Sequence, residues 1–417
     1  MHMNAPKLRF KADDGSEFPD WEEKKYSSVC NVFADGDWIE SKNQSDSGIR
    51  LIQTRNIGNG IFIDRGDKKK YISKETFDRL KCKEVFEGDI LISRLPSPAG
   101  RACIVPKLNE RMITAVDCTI VRTDKSIILH DYCVQFMQSS KHFYYVASMM
   151  SGGTRRRISR KNLENELISF PCLPEQQKIA DFLATIDTVI EKQKETVSAW
   201  EERKKGVMQK LFSQEVRFKA DDGSQFPDWE EKKLGDCGRF YTGVGFSKKY
   251  QGHKGLDVDV YKVSDMNIIG NEKYMTLSNN TVDDSIVGQM KTKIITSKCL
   301  VFAKVGAAIY GERKRITTKP FLIDNNMMTF EPYSCLNIEY LHSWSCSVKF
   351  SQYAQVGALP SYNSSDIGII KIHIPCLEEQ QKIADCLSSF DEVIEKQKAT
   401  LATWKELKKG LLQRIFV

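Results

Sequence analysis

The sequence lacks the local motifs by which common enzyme sites are identified. It has twelve cysteines but no Cys-x-x-Cys pair, and its six histidines form no cluster with zinc-ligand spacing. Residues 306–311 have the glycine spacing of a phosphate-binding loop, but Glu312-Arg313 follows, and a glutamate there repels phosphate. Gly58-Asn-Gly60 and Gly243-Val-Gly245 lack the third glycine of a dinucleotide-binding loop. No Pro-Pro dipeptide occurs, which excludes the Asn/Asp-Pro-Pro-aromatic motif of amino-methyltransferases. We therefore expect no catalytic residue, no metal site and no cofactor bound by this chain.

Long apolar segments are also missing. No run approaches the roughly 18–20 apolar residues that cross a bilayer, and the start, MHMNAPKLRF, has no apolar core typical of a secretory signal. We expect a cytoplasmic protein with no membrane partner, whose cysteines are free thiols. With 417 residues and 41% hydrophobic content, the chain can form two or three folded domains.

The net charge of +7 is small, but the cations are concentrated in a few places. Residues 154–161, TRRRISRK, carry five cations in eight positions, and shorter basic runs occur at residues 68–70 and 313–315. Such a run is more often a solvated face than a binding site. Together the runs are compatible with an anionic partner but do not identify one.

A short connector sequence occurs twice. Residues 9–25, RFKADDGSEFPDWEEKK, match residues 217–233 at 16 of 17 positions. The exception is Glu17, which corresponds to Gln225. The offset of just over 200 residues is too long for a solenoid repeat and fits one domain plus an appendage.

A second pair of copies follows the same plan. Residues 171–212 align without gaps on residues 375–416, with 26 of 42 positions identical. The stretches between the copies, residues 26–170 and 234–374, barely resemble each other. The chain therefore contains one sequence unit in two copies, with closely matched connectors and two different variable stretches.

Apolar residues in both C-terminal copies follow a 4-3-4-3 spacing over four heptads, which predicts long coiled-coil helices. The period of 3.5 residues favours left-handed pairing. The predicted helix-pairing residues are Ile179, Leu183, Ile186, Ile190, Gln193, Val197 and Trp200 in the first copy, and Ile383, Leu387, Phe390, Ile394, Gln397, Leu401 and Trp404 in the second. Lys204 and Lys408 continue the same pattern.

We expect these two helices to pair with each other. Gln193 and Gln397 occupy the same position of the pattern and can fix the register. Pairing between two copies favours a pseudo-two-fold axis. If that axis is perpendicular to the helices, they are antiparallel and the globular domains lie at opposite ends of the pair. The alternative is that each helix packs on its own domain.

Both variable stretches indicate mixed α/β domains. A strand followed by a glycine turn starts at Gly48, and a turn followed by a strand starts at Val85. Corresponding patterns start at Val260 and Lys298, and helical runs follow in both stretches. The expected fold class is α/β (mixed α+β), with two globular domains, two long antiparallel coiled-coil helices and an internal pseudo-two-fold repeat. The predicted segments are a lead-in with the first variable domain (1–170), the first spacer helix (171–215), the second variable domain (216–374) and the second spacer helix (375–417).

With these features the chain resembles the specificity (S) subunit of a type I restriction-modification system. The matching motifs are Phe-Pro-Asp-Trp-Glu-Glu-Lys-Lys at Phe18 and Phe226, Gly-Asp-Ile-Leu-Ile-Ser-Arg at Gly88, and the helix approach Pro-Cys-Leu-x-Glu-Gln with its Gln-Gln-Lys-Ile-Ala-Asp continuation. The resemblance covers essentially the whole chain. One departure is that residues 358–362, Ala-Leu-Pro-Ser-Tyr, stand where the first domain has its arginine cluster. Phosphate contacts of the second domain are therefore expected to be weaker or differently placed.

The resemblance implies a function in phage defence and a set of partners. Each variable domain would be a target-recognition domain for one half of a bipartite, asymmetric site in double-stranded DNA. The helices would measure the spacer and dock two methyltransferase (M) subunits that methylate adenine N6, and restriction (R) subunits would add translocation and cleavage. S-adenosylmethionine, ATP and Mg²⁺ are expected on those partners. A two-headed reader on one face of the duplex predicts half-site centres about one helical turn apart, roughly 10 bp.

Candidate DNA-binding residues are polar or basic residues on loops that follow strands, because cations contact phosphates and polar groups read base edges. In the first domain they are Gln53, Arg55, Asn56, Arg94, Thr154, Arg155 and Arg156. In the second domain they are Lys262, Ser264, Asp265, Lys304, Ser361, Tyr362 and Asn363. The competing interpretation for each of them is an ordinary surface loop.

Two other functions remain open at this point. A non-catalytic coiled-coil adaptor whose heads bind protein predicts no salt-dependent DNA binding, whereas phosphate contacts predict an affinity that falls steeply with salt. A stand-alone enzyme is disfavoured by the missing methyltransferase and ATPase loops.

Overall fold

The computed structural model describes residues 6–96, 98–153, 156–355, 357 and 359–416. Contacts divide the chain into two compact units. Unit 1 comprises Met1–Glu195 and Lys398–Val417, and unit 2 comprises Thr196–Gln397. Each unit therefore combines one variable stretch with part of both long helices.

The described part of unit 1 contains short strands and helices followed by one long helix. Its strands are β1 (Glu22–Lys25), β2 (Cys30–Asp35), β3 (Ile49–Ile52), β4 (Tyr71–Ile72), β5 (Glu84–Val85), β6 (Ile90–Ser93), β7 (Ala102–Ile104), β8 (Met112–Thr114), β9 (Cys118–Thr123) and β10 (Leu167–Phe170). Its helices are α1 (Lys74–Leu80), α2 (His130–Phe136), α3 (Ser140–Met149), α4 (Arg160–Asn165) and α5 (Leu173–Phe212), the last of which continues into unit 2.

The described residues of unit 1 form three sheets, with the strand orders β2-β9-β6-β7, β4-β3-β8-β5 and β1-β10. The β3–β8 pair is parallel, so these two strands end at the same edge of their sheet. Both β3 and β6 are buried at every position, which accounts for their nearly continuous apolar sequence. The charged residue in these two strands is Arg50, which pairs with Asp64 at 2.5 Å and Glu110 at 2.7 Å.

The described part of unit 2 has a similar, but not identical, succession of elements. Its strands are β11 (Glu230–Lys233), β12 (Gly238–Thr242), β13 (Val258–Tyr261), β14 (Tyr274–Met275), β15 (Thr281–Val282), β16 (Leu300–Ala303), β17 (Lys314–Thr317), β18 (Phe321–Ile323), β19 (Met327–Pro332) and β20 (Lys371–Ile374). Its helices are α6 (Asp284–Met290), α7 (Ile338–Ser347), α8 (Ser364–Gly368) and α9 (Leu377–Ile415), the last of which continues into unit 1.

Most strand neighbours of unit 1 recur in unit 2 despite the different sequence, but the two larger sheets have five and three strands in place of four and four. Their orders are β12-β19-β16-β17-β14, β15-β13-β18 and β11-β20, and the β13–β18 pair is again parallel. In both units a core tyrosine bonds the last strand of the domain: the Tyr132 hydroxyl donates to the Ser169 carbonyl at 2.8 Å, and the Tyr340 hydroxyl donates to the His373 carbonyl at 2.6 Å. The predicted mixed α/β fold with a structural repeat is confirmed.

The two long helices run antiparallel where they meet inside each unit. In unit 1, Ile179 and Leu183 near the start of α5 share a core with Leu412 and Ile415 near the end of α9. In unit 2, Leu211 near the end of α5 shares a core with Ile383 and Leu387 near the start of α9. These cores also contain the β-sheet residues of each unit. The helices therefore pair with each other and pack on the globular domains, which combines the two arrangements left open by the sequence.

The duplicated connector is fastened to the start of each long helix by the same ion pair. Arg9 donates to both carboxylate oxygens of the fully buried Glu175, at 2.7 and 3.2 Å. Arg217 makes the equivalent contacts to the buried Glu379 at 2.7 and 3.1 Å. These bidentate pairs explain why the connector accompanies each helix in the sequence.

Neither α5 nor α9, nor any shorter helix in the described part of the chain, has an apolar stretch of the length and hydropathy that crosses a bilayer.

Candidate nucleic-acid interface

In unit 1, several strands end side by side, so that their following loops form one surface. The parallel strands β3 and β8 end together, and the chain leaving β2 and β6 joins them through backbone hydrogen bonds. The bonds are Ala115 N–H to Ile52 O (3.0 Å), Asp37 N–H to Thr114 O (2.9 Å), Arg94 N–H to Asp117 O (2.9 Å) and Ile158 N–H to Arg94 O (3.2 Å). We call this surface, residues 36–38, 53–60, 94–96, 115–117 and 156–158, the loop edge of unit 1.

Unit 2 has the same arrangement with other residues. The corresponding bonds are Asp324 N–H to Tyr261 O (3.0 Å), Val244 N–H to Ile323 O (3.1 Å), Lys304 N–H to Asn326 O (2.9 Å) and Tyr362 N–H to Lys304 O (3.2 Å). The loop edge of unit 2 consists of residues 243–245, 262–268, 304–306, 324–326 and 359–362. Lys304 occupies the position of Arg94, and Tyr362 that of Ile158, so one backbone framework carries two different sets of side chains.

Three candidates in unit 1 follow β3 on a 3-10 turn over Thr54–Asn56. The buried Asn56 closes this turn: its Oδ1 accepts from the Gln53 N–H at 3.0 Å, and its Nδ2 donates to the Ile63 carbonyl at 3.0 Å. Gln53 and Arg55 are half-buried, and Arg55 Nη2 donates to the Lys68 carbonyl at 2.9 Å. Asn56 thus has a structural role, while Gln53 and Arg55 keep partly accessible side chains.

Arg94 lies at the centre of the loop edge but is only 7% exposed. Its Nη2 donates to the Val116 carbonyl at 2.6 Å, and its Nε lies 3.5 Å from Asp35 Oδ1. Arg160 approaches the second oxygen of the same aspartate at 3.6 Å. Arg94 is therefore engaged inside the protein, where it orders the loops around it.

The structure describes the second part of the arginine cluster, residues 156–161. Thr154 and Arg155 lie outside the described residues. Arg156 is exposed, and Arg157 lies 3.7 Å from Asp117 and closes a backbone bridge to Ser151. Arg156 and Arg157 are thus both exposed at the loop edge.

The first group of candidates in unit 2 lies on or next to a 3-10 turn that follows β13. This turn corresponds to the one that follows β3 in unit 1. The fully buried Asp265 accepts from the Lys262 N–H at 2.8 Å and from Asn279 Nδ2 at 2.8 Å, so it corresponds to Asn56 and closes the turn. The half-buried Lys262 donates through Nζ to Gln251 Oε1 at 3.2 Å. Ser264 is exposed at the tip.

The second group in unit 2 surrounds Lys304, which is half-buried. Tyr362 is 5% exposed, and its hydroxyl donates to the Ala303 carbonyl at 2.5 Å. Asn363 is exposed but caps α8 by accepting from the Ser365 and Asp366 N–H groups. The half-buried Ser361 forms backbone bridges to Val305 and Gln355. Lys304 is thus the cation of this group, and Tyr362 belongs to the core.

Sequence reasoning missed three features of the loop edges. Arg101 of unit 1 donates to four backbone carbonyls, those of Thr54, Ile57, Leu95 and Pro98, and so joins two loops. Burial lowers the pKa of Arg101. An exposed aromatic ring stands at or next to each edge: Trp38 is 70% exposed in unit 1, and Tyr310 is 65% exposed in unit 2. In the sequence, a single Trp or Tyr within a polar loop was the feature that could have identified these exposed rings.

The electrostatics of the two edges differ. In unit 1 the carboxylates of Asp35 and Asp117 are within ion-pair distance of arginines. In unit 2, Asp324 is buried, and burial raises the pKa of its carboxyl above its ordinary value. Across the described residues, no group of three or more His, Cys, Asp or Glu side chains is arranged to hold a metal ion.

All fourteen predicted helix-pairing residues are buried or half-buried. Ile179, Leu183, Ile383 and Leu387 are at most 1% exposed. Trp200 packs edge-on against Phe390 with ring centroids 6.0 Å apart. The two lysines that continue the heptad pattern make ion pairs across the helices: Lys204 with Asp391 and Lys408 with Asp187, both at 2.5 Å.

Comparison with known proteins places these features in a family. The family model described as "Type I restriction modification DNA specificity domain" matches twice, at residues 19–198 and 227–403. The putative type I restriction enzyme MjaX specificity subunit of Methanocaldococcus jannaschii is 24% identical over 423 residues, covering 97% of this chain and 94% of the relative. The MjaIX specificity subunit of the same organism is 22% identical, covering 97% and 95%.

Solved structures share the fold over the whole chain. The type I restriction-modification S subunit from M. genitalium is 13% identical, with a TM-score of 0.53 and coverage of 99% of both chains. A chain from a structure of type I R-M complex assembly and conformational transition is 14% identical, with a TM-score of 0.59 and coverage of 96% of this chain and 98% of that chain.

Proposed function

Since this chain belongs to the type I restriction-modification DNA specificity family, we propose that its two units read the two halves of one bipartite, asymmetric DNA site. Each unit uses its loop edge as the reading surface. The observation that carries this proposal is the equivalence of the two edges, which share four backbone hydrogen bonds but present different side chains. A common framework with different side chains is suited to two different half-sites.

The accessible candidate residues at the edges fall into two chemical classes. Arg55 and Arg156 of unit 1, and Lys262 and Lys304 of unit 2, are cations suited to phosphates. Gln53, Ser264 and Ser361 have neutral hydrogen-bonding groups suited to base edges in the major groove. We assign the buried Arg94, Asn56, Asp265 and Tyr362 to positioning of these loops and not to direct contact with bases.

We further propose that two methyltransferase subunits dock on the duplicated parts of the chain, and that restriction subunits join through them. The connectors support this proposal because their identity extends to solvent-exposed positions, which core packing does not explain. The exposed identical pairs include Asp14 and Asp222, Asp20 and Asp228, and Glu22 and Glu230. Two copies of one surface suit two copies of one partner.

Catalysis belongs to those partners in this proposal. They would carry S-adenosylmethionine for adenine N6 methylation, and ATP with Mg²⁺ for translocation and cleavage, while the chain described here binds none of these. We propose a cytoplasmic location because the DNA to be read is there.

The spacer between half-sites is proposed to depend on α5 and α9. Insertion of seven residues into each helix, after Lys194 and after Lys398, keeps the heptad pattern of both. The expected result is a methylated motif with the same half-sites and a changed spacer. An unchanged spacer would rule out the helices as the measuring element.

Methylome sequencing tests the proposed function directly. The chain is expressed together with the methyltransferase encoded beside it in a host without adenine methylation, and genomic DNA is analysed by single-molecule sequencing. The expected result is one bipartite motif with a methylated adenine in each half. Absence of any bipartite motif, with both proteins expressed and copurifying, contradicts the proposal.

A protein-binding adaptor is the second candidate, supported by the long paired helices. It differs in its response to salt. DNA reading predicts an affinity for the motif that falls on the order of 10³-fold or more between 50 and 200 mM salt if six or more phosphates are contacted. An adaptor predicts no measurable DNA binding at either salt concentration.

A further inference from the structure

Unit 2 has a second basic loop that the candidate residues do not include. The loop between β12 and β13 contains Ser-Lys-Lys-Tyr at residues 247–250, with Lys248 and Lys249 in a 3-10 turn. We propose that Lys248 and Lys249 contact backbone phosphates of the half-site that unit 2 reads. This inference rests on the proposed function and names the phosphate contacts that replace the arginine cluster of unit 1.

The loop is anchored to the loop edge on both sides of the two lysines. Before them, the Val244 N–H donates to the Ile323 carbonyl at 3.1 Å, which holds the chain beside the end of β18. After them, Gln251 Oε1 accepts from Lys262 Nζ at 3.2 Å. Because both anchors belong to the loop edge or contact it, the lysines between them lie next to the surface assigned to DNA.

The charge of these lysines is available to a partner. Both side chains are exposed, and neither forms an ion pair with any described residue. The equivalent 3-10 turn of unit 1 is Ser41–Asn43, where Lys42 pairs with Glu40 at 2.8 Å and an asparagine follows. In unit 2 the same structural position therefore carries two cations without ion pairs to described residues, and in unit 1 it carries an ion-paired lysine. The arginine cluster has the opposite distribution, because it occurs in unit 1 and unit 2 has Ala-Leu-Pro-Ser-Tyr in its place.

The turn is held in place before any ligand binds. The Tyr250 hydroxyl donates to Gln289 Oε1 at 3.2 Å, and Lys249 Nζ lies 4.3 Å from the centre of the Tyr250 ring. Gln251 also donates through Nε2 to the Phe246 carbonyl at 2.9 Å. A pre-ordered loop loses little conformational entropy on binding, so its two cations can contribute most of their electrostatic attraction to affinity.

Salt dependence of DNA binding separates phosphate contacts from other roles. The variant K248Q/K249Q, as the full chain together with its co-expressed methyltransferase, is titrated with a duplex that carries the methylated motif, at 50 to 200 mM salt. Each lost phosphate contact lowers the slope of log affinity against log salt by about 0.9. The expected slope is therefore shallower by about 2, so that the affinity deficit relative to wild type is roughly tenfold larger at 50 mM than at 200 mM salt. The methylated motif stays the same, because phosphate contacts carry no base information.

The control variant K293Q/K298Q removes the same charge elsewhere on unit 2. Lys298 precedes β16, whose far end leads to Lys304, and Lys293 precedes Ile295, which pairs with the first residue of β18. Both lysines are exposed and lie at the ends of strands away from the loop edge. The expected salt slope of this control equals that of the wild-type protein.

Ethylation interference locates the contacts. Wild-type protein is expected to show at least two phosphates, in the half-site of unit 2, whose signals disappear in K248Q/K249Q. A wild-type slope for K248Q/K249Q, or an equal change in both variants, overturns this inference while leaving the proposed function intact. Failure of the wild-type complex to bind the motif contradicts the proposed function itself.

Discussion

At the residue scale, His142 connects the buried Glu166 to the loop between β6 and β7 in unit 1. Its ring is fully buried, with Nδ1 2.8 Å from Glu166 Oε1 and Nε2 2.9 Å from the Gly100 carbonyl oxygen. Both neighbours are acceptors, so both ring nitrogens are satisfied only in the protonated imidazolium. Burial lowers the pKa of His142, but Glu166 and the Gly100 carbonyl outweigh it and hold the pKa above its ordinary value.

This arrangement predicts a stability contribution with a defined pH dependence. Because the folded pKa is raised, the contribution is complete below the unfolded pKa, about 6.5, and is lost as the pH rises through the folded pKa. H142Q is expected to lower the free energy of unfolding of unit 1 by about 3 kcal/mol at pH 6, because it leaves Glu166 buried without its cation. Thermal unfolding of both proteins from pH 6 to 9 checks this, since the difference between them should shrink with rising pH. A constant difference would show that His142 stays in one protonation state.

Arg101 illustrates how one side chain can position a binding surface without touching the ligand. Its guanidinium joins Thr54 and Ile57 on one loop to Leu95 and Pro98 on another through bonds of 2.7 to 3.1 Å. R101K keeps the charge but cannot span both loops, because an ammonium group lacks the fork geometry. The expected result is an affinity for the motif reduced by about tenfold, or about 1.4 kcal/mol, with relaxed base preference in one half-site.

The matched control for Arg101 lies in unit 2. Arg315 donates through Nε to the Asn271 carbonyl at 2.6 Å and so fastens the chain that follows the loop edge. R315K should relax the other half-site and leave the first unchanged. Methylome sequencing of both variants measures this, and relaxation of the same half-site in both would contradict separate reading by the two units.

At the scale of elements, the ion pairs between α5 and α9 specify how the two helices pair. Asp187 faces Lys408 in unit 1, and Lys204 faces Asp391 in unit 2. Each helix thus carries one aspartate and one lysine 17 positions apart, and the order is the same on both. An antiparallel pair brings opposite charges together at both places, whereas a parallel pair in register would bring Asp against Asp and Lys against Lys. The charges therefore select the antiparallel arrangement.

Charge exchange tests this selection. D187K places two lysines against each other in unit 1 and should lower the free energy of unfolding by about 1–2 kcal/mol, less than for a fully buried pair because Asp187 is partly exposed. D187K/K408D restores an ion pair between the same helices and should recover most of that loss. D187K/K204D makes the same two types of change on α5 alone, where the residues are not partners, and should be less stable than D187K. Thermal unfolding of the three variants checks the order, and equal stability of the two double variants would contradict the pairing.

The helices also show what the sequence could and could not predict. The heptad pattern is a local property, so the positions of Ile179 and Leu387 in the buried helix faces followed from spacing alone. The partner of Lys204 did not, because it depends on the register between distant segments. For the same reason, Arg94 and Tyr362 were predicted as DNA-binding loop residues although both are buried, since their burial depends on which strands end beside them. The two 3-10 turns that shorten β3 and β13 depend on side-chain hydrogen bonds of Asn56 and Asp265, which spacing does not reveal.

At the scale of the whole molecule, the core of each unit contains residues from both copies of the duplicated helix. The core of unit 1 includes Ile415 and Phe416 from the end of the chain beside Tyr132 of its own domain. The core of unit 2 includes Leu211, from the end of α5. The duplicated segments therefore supply the same packing surface to two different domains, and the variable stretches can differ without disturbing it. This separation of a common frame from variable domains is the basis for exchanging one domain at a time.

Replacing residues 26–170 by the corresponding stretch of another family member should change one half of the methylated motif only. The exchanged stretch includes β10, which pairs with the retained β1 through backbone bonds between Glu22–Lys25 and Leu167–Phe170, and backbone pairing of this kind is open to a different sequence. The other half-site and the spacer should stay as they are, because unit 2, α5 and α9 are unchanged. The reciprocal exchange of residues 234–374 should alter the opposite half. Methylome sequencing of the two chimaeras checks both outcomes, and a change in both half-sites from a single exchange would show that the two units do not read DNA independently.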